Sequence, residues 1–260
     1  MTTPILQAQS LKKILTRDGQ SGFLAVDGVS FDISAGECVG LIGESGSGKS
    51  TILKAVNGLL GRGASVGGQI LLSGRDVAGC SFEERQRFSG EMIATVFQNA
   101  GASFCPVRRV GEQIHESLRG WSRGEFRARA GESMAHLHLD PSALEEYPFR
   151  LSGGMSQRAG ILAAMMLSPE LLLADEPTSA LDAVAQVSVA RELMEMRRRD
   201  GVAILMVTHH MGAAWYMADS VLVMRGGRMV EYGTREEIFL DPREEYTREL
   251  IRAVPRLRRT

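Results

Sequence analysis

Residues 43–51 read GESGSGKST, and their types and spacing are those that hold a chain of phosphates. Glycines at 43, 46 and 48 let the backbone curl until successive N–H groups converge, a geometry that binds anions. Gly43, Gly48, Lys49 and Ser50 fill the fixed positions of G-x-x-x-x-G-K-[ST], with Glu44, Ser45, Gly46, Ser47 and Thr51 completing the loop. Lys49 is expected to reach the β- and γ-phosphates, and the Ser50 hydroxyl to hold Mg²⁺. The apolar run CVGLIG enters the loop and STILKAVNGLL leaves it. This predicts a buried strand followed by a helix whose positive end faces the phosphates.

A second constellation supplies carboxylates. LLLADE puts Asp175 and Glu176 at the end of an apolar strand, where a parallel sheet opens onto its ligand crevice. Asp175 is expected to hold Mg²⁺ through its water shell, and Glu176 to orient and polarise an attacking water. Phosphoryl transfer needs positioning and charge neutralisation, which these groups supply. Gln98 ends ATVFQ and His209 follows ILMVT, so both should reach the same sheet edge. Gln98 there meets Mg²⁺ or the lytic water, and His209 meets the γ-phosphate and Glu176. A further phosphate-binding helix start is written in LSGGMSQRAG, at Ser152, Gly153 and Gly154. A cap role explains the serine but not the two glycines.

Elements that place these groups follow from the pattern of the 260 residues. Strands alternate with helices, which implies a mostly parallel sheet covered on both faces, with strand-like runs and turns before it. Residues 99–160 change to amphipathic helical texture and read as an inserted helical subdomain. Residues 1–98 and 161–260 then form the catalytic core of a single domain. Thirty basic against 31 acidic residues leave a net charge of −1, with no field favouring nucleic acid or anionic lipid. No apolar run approaches the roughly 18 residues that span a bilayer, and the N-terminus lacks the order of a secretory signal. The chain is therefore expected in the cytosol, meeting a membrane only through a partner. Cys38, Cys80 and Cys105 are widely spaced and read as reduced, buried or half-buried thiols. His136 and His138 fall on different faces of a helix and read as structural or surface residues. The ending RLRRT reads as a solvated basic terminus.

Taken in order, these parts resemble the ATP-binding subunits of ABC transporters over essentially the whole chain. In that family residues 43–51 are Walker A, Gln98 the Q-loop and residues 151–157 the signature, which brings in Gln157. Residues 171–175 are Walker B, Glu176 the catalytic glutamate, residues 179–182 the D-loop ending at Asp182, and His209 the switch histidine. The resemblance implies a P-loop NTPase fold of the RecA-like kind, with ATP and Mg²⁺ as cofactors. It also implies head-to-tail pairs in which Ser152, Gly153 and Gly154 touch the ATP of a sister subunit, identical or different. Phe23, just before AVDGVSF, is the candidate to stack on adenine.

The stretches from Pro106 to Ile114 and around Tyr246, Thr247 and Arg248 are similar to the nickel, dipeptide and oligopeptide importer group. That resemblance implies two integral membrane permease subunits and an extracytoplasmic solute-binding protein. The location implied is the cytoplasmic face of the inner membrane, peripheral through the permeases. Phe104 and Cys105 stand where such importers commonly have Leu-Asn, and His210 where an aspartate is common. The short C-terminal region leans towards nickel or metal chelates as cargo. A soluble ABC protein of translation or DNA repair is the alternative; it would carry two motif sets or a long coiled coil, and neither is present.

Overall fold

The computed structural model describes residues 3–15, 23–59, 64–77, 80, 84, 92–118, 120–179 and 181–253. The basic ending RLRRT and Ala180 of the D-loop lie outside them.

Two sheets share one core. Strands β1 (Leu6–Leu15), β2 (Phe23–Ile33), β4 (Ala64–Leu72) and β5 (Arg75–Asp76) form an antiparallel sheet in the order β2-β1-β4-β5. The second sheet contains β3 (Cys38–Gly43), β6 (Ile93–Val96), β7 (Leu171–Asp175), β8 (Ala203–Val207), β9 (Ser220–Arg225) and β10 (Arg228–Thr234). Its order is β10-β9-β3-β8-β7-β6, parallel throughout except for the hairpin partner β10. That hairpin turns on Gly226 and Gly227, whose positive φ values of 54° and 82° match the twist of two-residue hairpins.

Every residue of β3 and β8 is buried, as expected of strands covered on both faces. The period of two divides their side chains between the two faces of the sheet. Leu171, Leu173, Ala203, Leu205, Val207, Val39 and Leu41 pack with Leu6, Val29, Ile70 and Leu72 of the antiparallel sheet. Leu172, Ala174, Ile204, Met206, Ala94 and Val96 face the helices instead.

Those helices are α2 (Val110–Ser117), α3 (Arg123–His136), α4 (Gly153–Met166) and α5 (Ala183–Asp200). Ser122 and Glu125 open α3 with a reciprocal capping box, and Gly201 closes α5 in the left-handed region at φ 69°. Val110, Ile114, Phe126, Ala130 and Met134 bury the apolar stripes of α2 and α3 in the same core as the sheet. Helices α6 (Met211–Met217), α7 (Arg235–Leu240) and α8 (Glu245–Arg252) cover the β9 side. Helix α1 (Lys49–Val56) follows β3. No helix among the described residues is long and apolar enough to cross a membrane.

Parallel pairing is what gathers the site. Leu41 and Asp175 both lie level with Val207, and Val96 lies level with Ala174. The chain therefore leaves β3, β6, β7 and β8 at one edge.

Candidate active site

The phosphate loop is shaped by close packing against its own chain. A Cβ on Gly43, at φ 144°, would sit 2.2 Å from the Met224 carbonyl oxygen. One on Gly48, at φ 103°, would sit 2.7 Å from the Ala25 carbonyl oxygen. Neither position tolerates a side chain. Gly48 is the residue before α1, and no side chain caps that helix, so its first N–H groups face the cleft.

Lys49 curls back over the loop. Its Nζ donates to the carbonyls of Gly43 (2.9 Å) and Glu44 (2.7 Å) and to Ser47 Oγ (3.2 Å). Burial pulls its pKa below the ordinary lysine value, against the opposing pull of Glu176 and Asp175. Ser50 Oγ donates to Asp175 Oδ1 at 3.3 Å, joining the start of α1 to the end of β7. Burial raises the Asp175 carboxyl above its usual range, and the Ser50 bond only partly offsets this. Two hard oxygen donors side by side, one a carboxylate whose charge is poorly solvated, suit a hard divalent cation.

Glu176 is gripped from both sides. Gln98 Nε2 donates to its Oε2 at 2.8 Å, and His209 Nδ1 lies 2.7 Å from its Oε1. Its own backbone is left-handed at φ 51°, unusual for a residue with a side chain, and its N–H donates to the Val207 carbonyl at 2.8 Å. That turn was not legible in the motif, although a carboxylate aimed off a strand end requires one. A cleft of about 430 Å³ is lined by Gly43, Ser45, Gly46, Gly48, Lys49, Ser50, Thr51, Gln98, Glu176, Val207 and His209.

Other expected residues sit elsewhere. Ser152 caps α4, its hydroxyl accepting from Met155 N at 3.2 Å; neither it nor Gly153 nor Gly154 lines the cleft. Gln157, expected among the nucleotide contacts, is instead buried at 1% exposure. It donates to the carbonyls of Phe97 (3.2 Å) and Pro177 (3.1 Å) and accepts from Ala100 N (3.4 Å). It braces the segments carrying Gln98 and Glu176. Asp182 caps α5, accepting from Val184 N and Ala185 N at 3.0 Å each, and these bonds hold its carboxyl below the usual range.

Phe23 is 69% exposed at the first position of β2, two residues from the Ala25 carbonyl that touches the loop. His210 does not enter the site: it caps α6 by accepting from Ala213 N at 3.0 Å. Cys38 is buried, which pushes its thiol up to about 12, whereas Cys105 is exposed, contrary to expectation. The turn around Cys105 is tied by Gln113, which bonds to Cys105 N (2.7 Å) and to the carbonyls of Cys105 (3.1 Å) and Arg108 (2.9 Å). His136 pairs with Glu192 at 3.3 Å on the surface, and His138 turns the chain beyond α3 at φ 49°.

An uncapped helix start behind a glycine loop, facing carboxylates at the edge of a parallel sheet, defines a P-loop nucleoside triphosphatase. Known proteins narrow this. The ABC transporter family profile matches residues 26–179, and that of the oligopeptide/dipeptide transporter C-terminal region matches residues 230–260. OppF of Lactococcus lactis, an oligopeptide transport ATP-binding protein, is 39% identical over 235 residues, covering 89% of this chain and 72% of its own. The Salmonella typhimurium oligopeptide transport ATP-binding protein OppD is 39% identical over 240 residues, covering 90% and 71%. In structure, a dimeric post-hydrolysis state of the cassette MJ0796 bound to ADP and Pi superposes with TM-score 0.80 at 26% identity. That match covers 88% of this chain and 98% of the other. The chain belongs to the ABC transporter family, and it is an ATPase of the ABC type.

Proposed function

We propose that this subunit drives the import of short peptides by hydrolysing ATP in a pair of such subunits. The observation that carries the catalytic half is Glu176, held between Gln98 and His209 beside Lys49, Ser50 and Asp175. Glu176 takes a proton from the attacking water, and His209 keeps the carboxylate aimed and meets the γ-phosphate. Lys49 leaves the loop carbonyls for the β- and γ-phosphates when nucleotide enters. Ser50 and Asp175 would hold Mg²⁺, with Gln98 as a further oxygen donor, and the ion would supply neutralisation of charge on the phosphate oxygens. Phe23 stacks on the adenine.

Pairing is supported by the second helix start, at Ser152, Gly153 and Gly154, which does not line this chain's own cleft. The structural relative just described is itself dimeric. Two integral membrane permeases are engaged through the region from Gln98 to Gly120, and a solute-binding protein delivers the cargo. The subunit thus works at the cytoplasmic face of the inner membrane. Peptides are preferred to nickel or metal chelates because the relatives described are oligopeptide transport proteins by name.

The test is Glu176→Gln in the full chain. Turnover falls by about 10³-fold while ATP still binds, and light scattering with ATP and Mg²⁺ finds a stable dimer. Unchanged turnover removes Glu176 from its role, and a monomer at saturating ATP removes the pairing. Cargo is read separately, by titrating the solute-binding protein with short peptides, nickel and nickel chelates.

A further inference from the structure

The C-terminal region reaches the phosphate loop through Tyr246. Tyr246 Oη accepts from the backbone N–H of Glu44 at 3.2 Å, across 202 residues of sequence. Glu44 is the second residue of the loop, and its carbonyl accepts from Lys49 Nζ and from Ser47 N. One peptide unit and the carbonyl after it are thus fixed on both sides. The hydroxyl of α8 holds the N–H, while Lys49 holds the oxygen that it must release to reach a phosphate.

Tyr246 is firmly mounted for this task. The Arg225 guanidinium lies 4.6 Å above its ring, and the ring packs on the core formed by Ile42, Val221 and Ile238. The start of α8 is pinned by Glu231 of β10, whose carboxylate accepts from Arg243 N (2.8 Å) and Glu244 N (3.2 Å). Arg225 precedes the Gly226–Gly227 turn, and Gly227 N donates to the Ser47 carbonyl at 3.0 Å, a second grip on the same loop. Tyr246 falls inside the part of the chain that matches the oligopeptide/dipeptide transporter C-terminal region.

We propose that Tyr246 is a positioning residue for the phosphate loop, its hydroxyl holding the Glu44 peptide so that the loop keeps its nucleotide-ready shape when Lys49 departs. The proposal rests on the nucleotide-site reading above. Without the hydroxyl, the Glu44 peptide is free to rotate once Lys49 lets go, so binding must first restore its orientation. The effect belongs in affinity and not in the chemical step, since Tyr246 touches neither Glu176 nor the cleft.

The experiment compares wild type, Tyr246→Phe and Tyr246→Ala as full chains. Each is titrated with a fluorescent ATP analogue and Mg²⁺, and amide hydrogen exchange is followed across residues 43–49 without nucleotide. Tyr246→Phe keeps the ring and the Arg225 contact but loses the hydroxyl. It is expected to weaken nucleotide binding about 3- to 10-fold, the size of one neutral hydrogen bond. It should also speed exchange at the Glu44 amide and raise KM for ATP, with kcat within twofold of wild type. If Tyr246→Phe matches wild type in affinity and exchange and only Tyr246→Ala is impaired, the ring is mere packing and the proposal fails. A fall in kcat with KM unchanged overturns it equally. Failure of wild type itself to bind nucleotide overturns the nucleotide-site reading, and this proposal with it.

Discussion

Two helix starts in this molecule carry glycine for opposite reasons. At α1, Gly43 and Gly48 adopt positive φ, and a Cβ on either would collide with a carbonyl of the same chain. The fold itself demands them. At α4, Gly153 has no positive φ, and a Cβ there would meet nothing within 4 Å. Glycine is poorer than alanine in a helix by about 1 kcal/mol, so folding alone gives no reason for it. On the pairing proposed above, what needs bare backbone at Gly153 is the nucleotide of a sister subunit. The glycines of the first site answer to their own chain; those of the second, on that proposal, answer to a partner.

The strongest way to break this contrast is Ser152→Arg. A long cation at the proposed seam should lower ATP turnover by about 100-fold or more, which is roughly 2.7 kcal/mol in the barrier. Monomer affinity, from titration with a fluorescent ATP analogue, should stay within twofold. Lost monomer affinity would instead put Ser152 in the chain's own site.

A paired substitution sharpens the comparison. Gly48→Ala must strain the backbone and press on the Ala25 carbonyl, so it should cost about 1–3 kcal/mol in urea unfolding and weaken nucleotide binding. Gly153→Ala should leave stability unchanged or raise it by about 0.5–1 kcal/mol, yet slow turnover about tenfold. Equal stability losses at both positions would erase the distinction.

The smallest effect separates the acids of the two regions by pH. Burial raises the Asp175 carboxyl, so its charge opposes folding once the pH exceeds the folded value. That cost is absent below the unfolded value of about 3.9. Asp175→Asn should therefore raise the thermal midpoint at pH 7 by a few degrees at most, and not at acid pH, while hydrolysis is lost. Asp182 behaves oppositely. Its carboxyl is lowered by the Ala185 and Val184 N–H groups, so it adds stability above the unfolded value and loses it as pH falls. A lower midpoint for Asp175→Asn at pH 7 would mean that the Ser50 bond outweighs burial.

The sequence announced Lys49, Ser50, Asp175, Glu176, Gln98 and His209 because each follows an apolar strand by a fixed step, and parallel pairing does the rest. The strands themselves were legible for the same reason, as short apolar runs ending in polar motifs. Hidden from it were contacts that no local pattern encodes. Gln157 reaches Phe97 across 60 positions and Pro177 across 20. Tyr246 reaches Glu44 across 202. The turn at Glu176 and the exposure of Cys105 depend on packing around them, which composition does not report. The same holds for the capping use of His210.

Because one buried amide ties Phe97, Ala100 and Pro177 to α4, the Gln98 and Glu176 segments ride on a common carriage with the signature helix. A displacement of the turn at Ala100 therefore has to break or carry with it the amide that also holds Phe97 and Pro177, so none of the three segments can shift without loading the bonds of the others.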